Sequence, residues 1–326
     1  MAIDCVLCFH DGSGSYFINA YVTILSIFEN TKEKIIVHIL HDSTIEHGRK
    51  HLQELCDSYG QEIRFHHVED ALSAQTGKTG SKKIIPGTTY RYYIHEFVTA
   101  DKAIYMDCDV IVNRDILDLY SVPLGDRLFA STLDLSRYWK NGKPAKKYAK
   151  TVNYLGLKEK SHASAGLMLM NLEKLRELSA SGNIFVQKTL AAINDGIELY
   201  FLDMDIVNSI AASLPDGVLI LDPRFNLWPA SMHLGLEDLH DTIFHYVSKP
   251  DKNFFPAHLL FWKYYAMTPF AGDMFERMSA AYCATEIMQF YLLNPRHRRH
   301  ARELLKYGMA GMMLRAVGRK LGLVKK

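Results

Sequence analysis

The chain has no stretch approaching the roughly 18 uninterrupted apolar residues of a membrane-spanning helix. It also shows no basic segment and apolar core of a secretion signal, entering instead on a strand-like run at 3–9, Ile-Asp-Cys-Val-Leu-Cys-Phe. Cysteine is scarce: five residues, an odd number, widely scattered. That argues against a disulfide framework and fits a reducing compartment, so the expected location is cytoplasmic. Cys5 and Cys8 have C-x-x-C spacing, but residues three apart on a strand face opposite sides, which favours packing over metal or redox work. No internal repeat or low-complexity segment is evident.

What is present suits a large enzyme. With 326 residues and 48% hydrophobic content, the chain can hold one big α/β domain, or a domain plus an appendage. The small net charge of +2 conceals an asymmetry: residues 296–326 carry ten Lys or Arg against one acid, Glu303, so this tail is +9 and the remainder −7. Leu, Met and Val interleave the tail's basic residues, a composition suited to an interfacial helix on an anionic membrane. Gly308, Gly311, Gly318 and Gly322 weaken such a helix in water, which fits ordering on contact with a surface. A merely solvated basic terminus is the bland alternative. Nucleic-acid binding is disfavoured, because Tyr307 is the tail's one aromatic for base stacking.

Along the chain, strand-like runs at 5–9, 35–40, 63–67, 103–106, 128–133, 166–170, 218–221 and 242–246 alternate with helical stretches such as 16–29 and 45–58. This pattern predicts a mostly parallel sheet covered by helices. Residues 72–87 and 136–160, rich in Gly, Lys, Ser, Thr, Tyr and Pro, read as long loops, which beside a site often act as lids or walls. From about residue 256 the chain turns helical, giving a domain over 1–255 and a helical appendage over 256–326 that ends in the basic tail.

The most informative segment is 102–112, Lys-Ala-Ile-Tyr-Met-Asp-Cys-Asp-Val-Ile-Val, an apolar strand carrying Asp107 and Asp109 near its end. Two solvated aspartates would be the bland reading. An unpaired carboxylate doublet beside an apolar strand costs desolvation and repulsion unless a cation offsets it. Oxygen ligands at the carboxyl end of a sheet strand suit Mg²⁺ or Mn²⁺, and a diphosphate is the obvious occupant of the open coordination positions. Three further clusters join this pair. Arg91, shortly before the strand, could clamp phosphate or sugar oxygens. Asp203 and Asp205 head an apolar helix, where one of them suits an N-cap role. His245 ends a strand and is followed by Lys249 and Lys252, a grouping that suits a third metal ligand with phosphate-binding cations.

These segments resemble the retaining nucleotide-sugar glycosyltransferases of family 8, which include lipopolysaccharide galactosyl- and glucosyltransferases. The similarity runs over about residues 3–255. Tyr105-Met-Asp107-Cys108-Asp109-Val looks like the family's D-x-D strand end, Thr88-Thr-Tyr-Arg91-Tyr-Tyr-Ile-His-Glu96 like its T-Y-x-R helix, Ser164-Ala165-Gly166 with Asn171-Leu172 like N-A-G-hhhh-N-L, Asp203-Met204-Asp205 like D-Q-D, and His245-Tyr246 like the metal-binding H-Y/F. The resemblance implies a GT-A type α/β fold, a Rossmann-like mixed sheet with helices on both faces, followed by the helical appendage. It implies that Asp107, Asp109 and His245 hold Mn²⁺ (or Mg²⁺) on the diphosphate of a UDP-sugar. By the same similarity, Arg91, Asp134 and Asp203 line the donor-sugar pocket, and Cys108, Ser164, Ala165, Gly166 and Met204 contact the donor. The first strand ends Cys8-Phe9-His10-Asp11, where the family commonly has acids contacting uracil, leaving Asp11 and His10 beside Phe9 as nucleotide contacts. Ser164 and Met204 replace two amides, which places sugar identity in question. Either Lys249 or Lys252 meets the diphosphate.

The implied activity is transfer of galactose or glucose from a UDP-hexose to a saccharide or lipid-linked saccharide acceptor, in lipopolysaccharide or other surface-glycan synthesis, on the cytoplasmic face of an anionic membrane. Two alternatives compete with it: a non-catalytic sugar-nucleotide binding protein, motivated by Ser164 and Met204, and an aspartyl-nucleophile phosphatase. The phosphatase motif normally lies on the first strand, whereas here it follows 100 residues of chain.

Overall fold

The computed structural model describes residues 2–69, 72, 87–134, 138–140, 142–227, 240–247 and 258–274. Among these, the strands are β1 (Ala2–Phe9), β2 (Lys34–His41), β3 (Glu62–His67), β4 (Lys102–Met106), β5 (Val110–Asn113), β6 (Phe129–Thr132), β7 (Trp139–Lys140), β8 (Lys143–Pro144), β9 (Leu167–Asn171), β10 (Val218–Leu221) and β11 (Thr242–His245). The longer helices are α1 (Phe17–Asn30), α2 (Glu46–Ser58), α7 (Ile184–Asn194) and α8 (Asp203–Ala212), with shorter α3 (Ile94–Phe97), α4 (Leu117–Tyr120), α5 (Ala149–Leu155), α6 (Leu172–Leu178) and α9 (His258–Tyr265).

A seven-stranded sheet in the order β10-β6-β9-β4-β1-β2-β3 forms the centre. Its strands run parallel except β9, which is antiparallel to both β4 and β6. Alternating side chains send Ile3, Cys5, Leu7 and Phe9 of β1 into one core and Val6 and Cys8 into the other. Helices α1 and α2 cover the first face, while α6, α7 and α8 cover the second. Cys5 and Cys8 thus pack in separate cores, and burial pushes both thiols well above the usual thiol range.

Two expectations are corrected. The apolar run 102–112 is two strands rather than one, because β5 leaves the main sheet to pair antiparallel with β11 in a separate ribbon. Segment 136–160 is not simply loop, since its described part forms the β7–β8 hairpin and α5, held by Tyr138 packed edge-on against Tyr148 and Phe201. Helix α9 places Leu260, Phe261, Trp262, Tyr264 and Tyr265 in the same core as α1 and β11. The tail at 296–326, Lys249 and Lys252 lie outside the described residues.

Candidate metal and nucleotide-sugar site

The reversal of β9 builds the site. Because β9 runs opposite to β4, its approach, Ser164–Gly166, arrives at the same sheet edge as the end of β4, and the Asp107 amide donates to the Gly166 carbonyl at 2.8 Å. The chain then turns through Asp107-Cys108-Asp109 into β5, pinned by the Thr23 hydroxyl of α1 on the carbonyls of Cys108 (2.9 Å) and Val110 (2.8 Å). Register along β5 and β11 sets His245 opposite Val110, and the Tyr246 amide donates to the Asp109 carbonyl at 3.0 Å.

His245 Nε2 consequently lies 3.3 Å from Asp109 Oδ1 and 3.6 Å from Asp107 Oδ2. One ligand atom from each of the three falls within 4.8 Å of the others, the one such group of metal-ligating side chains found among the described residues. Burial alone would disfavour the imidazolium of His245, yet the charges of Asp109 and then Asp107 outweigh it and raise its pKa. The pocket therefore draws positive charge to this point. Two carboxylates and an imidazole suit a divalent ion of the Mn²⁺ or Mg²⁺ kind. Gly166 makes room for the cluster, since a Cβ there would stand 2.1 Å from His245 Cε1 and 3.0 Å from Asp107 Oδ2.

Beside the cluster, Arg91 is buried with its guanidinium 4.5 Å above the Tyr105 ring. It donates to Asp107 Oδ1 (2.9 Å) and to the Ala165 carbonyl (2.7 Å), and pairs with Asp203 Oδ2 (2.8 Å). The Tyr105 hydroxyl donates to the same Asp107 oxygen. Burial pushes the Asp203 carboxyl up to about 6, even against the lowering effect of Arg91. Asp205 takes the structural role: its carboxylate accepts from the Tyr138 hydroxyl and, at 3.0 Å, from the Phe201 amide. Leu202, between Phe201 and Asp203, holds φ at 45°, a strained conformation for a branched residue.

Asp107, Asp109, His245, Arg91 and Asp203 line one cavity of about 530 Å³, a size that suits a small-molecule ligand. Cys8, Phe9, His10, Cys108, Asp134, Ser164, Ala165, Gly166 and Met204 also face it. Asp11 departs from expectation. Its carboxylate accepts from the amides of Ser15 (3.0 Å), Tyr16 (2.8 Å) and Phe17 (3.2 Å), satisfying the free amides at the start of α1, and it does not line the cavity. His10 does line it, with Nδ1 held 2.6 Å from Asp42 Oδ2. Burial would raise the Asp42 carboxyl, but hydrogen bonds from Thr44, His10 and Tyr90 hold it down at about 2. Burial and the neighbouring acids push the Cys108 thiol far up, so it presents no thiolate nucleophile.

Residue-by-residue reading did not identify Tyr16, which lies at the mouth of the cavity with its ring partly exposed, nor Val247 beyond His245. It also did not identify Asn226, which donates to the Ser164 hydroxyl from another element. An aromatic at the head of the helix that follows the nucleotide strand was the available signal for Tyr16. Asn226 carried none, because its contact depends on a neighbour 62 residues away.

The family model for glycosyl transferase family 8 matches residues 7–252. A protein of Haemophilus influenzae named as a glycosyltransferase is 28% identical over 215 residues, 65% of this chain and 60% of its own length. The chain thus spans less than two thirds of that relative. Among solved structures, the galactosyltransferase LgtC, in complex with donor and acceptor sugar analogues, is 22% identical with a TM-score of 0.63 over 82% of this chain and 96% of its own. The WbbM bifunctional glycosyltransferase is 19% identical, with a TM-score of 0.62 over 85% of this chain and 52% of its own. Both likenesses are of fold.

Proposed function

The chain belongs to glycosyl transferase family 8, and from that premise we propose that it is a metal-dependent, retaining hexosyltransferase moving galactose or glucose from a UDP-sugar to a saccharide acceptor. The observation that carries this reading is the convergence of Asp107, Asp109 and His245 on one cavity with the Arg91–Asp203 pair. Bound there, a divalent ion would supply Lewis-acid charge to the diphosphate leaving group. Arg91 bridges Asp107 and Asp203, joining the proposed metal end and sugar end of the pocket. Asp203 and Asp134 would offer negative charge to the sugar ring as its bond to phosphate lengthens. His10, oriented by Asp42, and Tyr16 would bracket the base, the tyrosine through its ring face. Lys249 and Lys252 remain the proposed cations for the phosphates.

Retention by same-face attack suits these residues. Asp203 is already paired with Arg91, which blunts it as a nucleophile. Met204 has no nucleophilic oxygen or strong hydrogen-bonding group. The leaving phosphate oxygen would take the proton of the acceptor hydroxyl. LgtC was solved with donor and acceptor sugar analogues, which supports a sugar acceptor here. We place that acceptor in lipopolysaccharide or another surface glycan and, through the basic tail, at an anionic membrane face in the cytoplasm. Among the described residues no helix is long and apolar enough to cross a membrane.

The test is release of UDP from UDP-galactose and UDP-glucose with and without Mn²⁺. Turnover that vanishes in chelator supports the reading. Tight UDP-sugar binding without turnover, in the presence of saccharide acceptors and Mn²⁺, would make the protein a sugar-nucleotide binder instead.

A further inference from the structure

Ser164 is fixed more firmly than a pocket wall requires. Its amide donates to the Thr132 carbonyl at 2.9 Å, and its carbonyl accepts from the Ser131 hydroxyl at 2.7 Å, tying it to the end of β6. Ser164 lines the cavity, and its hydroxyl accepts from Asn226 Nδ2 at 2.9 Å. Asn226 follows the short turn Pro223–Phe225 and is 2% exposed. It is held from both sides, by its own amide on the Pro223 carbonyl (3.0 Å) and through Leu227, which accepts from the His245 amide (2.7 Å) and donates to the Ile243 carbonyl (2.8 Å).

The other end of the Asn226 amide, Oδ1, is buried without a hydrogen-bond partner among the described residues. A buried, unpaired carbonyl is unfavourable for folding, and an apolar residue of similar size would avoid it. The asparagine is therefore better explained by what its Nδ2 does than by stability. A hydroxyl that accepts from Asn226 keeps its own hydrogen free for another acceptor, and the neighbouring open space is the cavity holding Asp203 and Asp134.

We propose that Asn226 is a positioning residue that turns the Ser164 hydroxyl into a hydrogen-bond donor toward a hydroxyl of the donor sugar, and that it does so from a segment bridged through Leu227 to β11, the strand that carries His245 into the metal cluster. The inference deepens the hexosyltransferase reading and rests on it. Sugar orientation and metal geometry are then linked through the short path from Asn226 to Leu227 to His245.

The test is a double-mutant cycle on Mn²⁺-dependent UDP release from UDP-galactose and UDP-glucose, using Ser164→Ala, Asn226→Ala and both together, with thermal unfolding of each. Wild-type turnover is measured first, and its absence would overturn the hexosyltransferase reading rather than this one. Each single variant should lose roughly 10-fold in kcat, the effect of one hydrogen bond to a reacting substrate, with the donor KM changed less than about threefold. In the Ser164→Ala background, Asn226→Ala should then add less than about a twofold loss. Asn226→Asp, which accepts from Ser164 instead of donating to it, should fall with the alanine variant. Losses that multiply, or an active Asn226→Asp, would overturn the proposal. If Asn226→Ala fails to fold, Asn226→Leu carries the same test, and failure of both would make Asn226 a structural residue and refute it.

Discussion

At Asp203 stability and chemistry pull in opposite directions. Burial pushes its carboxyl up from an ordinary 3.8 to about 6, opposing its charge more than Arg91 favours it. Ionising it in the folded state therefore costs free energy. Its contribution to stability is greatest below about pH 4 and is lost as pH rises through about 6. The proposed chemistry needs the anion, so donor turnover should rise over the same window. Asp203→Asn should accordingly be more stable than the wild type near neutral pH, by roughly 2–3 kcal/mol, and equally stable in acid, while losing about 100-fold or more in turnover. Thermal unfolding and UDP release across pH 4 to 8 would check both halves. A variant less stable near neutrality would show that the Arg91 pair outweighs burial.

Among the elements, the antiparallel β9 does most to assemble the pocket, and its approach segment tolerates no side chain at Gly166. Gly166→Ala must displace His245 or Asp107, since the added carbon would sit 2.1 Å from one and 3.0 Å from the other. A shift of about 1 Å in a metal ligand is enough for a 100-fold loss of turnover. Circular dichroism should show the fold retained, because neither core loses an apolar contact. Unchanged turnover in Gly166→Ala would mean that His245 does not sit where the ribbon places it. Most of these elements were legible in sequence: the apolar runs of β1, β2, β4, β9, β10 and β11 and the period of α1 and α2 carried enough signal to place them. The break between β4 and β5 was not, because Cys108 between the two aspartates keeps the run looking continuous although the backbone turns there. Asp11 read as a nucleotide contact for a similar reason. An acid just past a strand can face the ligand or cap the next helix, and the amides of Ser15, Tyr16 and Phe17, which decide the matter, acquire their positions only when α1 forms. Asp107, Asp109, Arg91 and His245 were legible because their chemistry is conspicuous in apolar surroundings. Asn226 was invisible because its role exists only in the contact with Ser164.

The whole molecule divides its charge between a body of −7 and a tail of +9. Such a body would be repelled by an anionic surface, while the tail would be drawn to it, with each Lys or Arg near the surface worth about 1 kcal/mol before screening. A chain ending at Asn294 should keep Mn²⁺-dependent UDP-sugar hydrolysis and lose binding to anionic vesicles, whereas the full chain should bind them and be released by salt. Equal partitioning of the two at low salt would remove the membrane role. The central claim, that two aspartates and a histidine hold a divalent ion on a nucleoside diphosphate, is tested most directly by titrating Mn²⁺ into the protein with UDP and following the resonance signal of the free ion. One ion should be taken up per chain, more tightly with UDP than without it, and Asp109→Ala should abolish the uptake. Undiminished uptake by Asp109→Ala, with UDP still bound, would contradict the account.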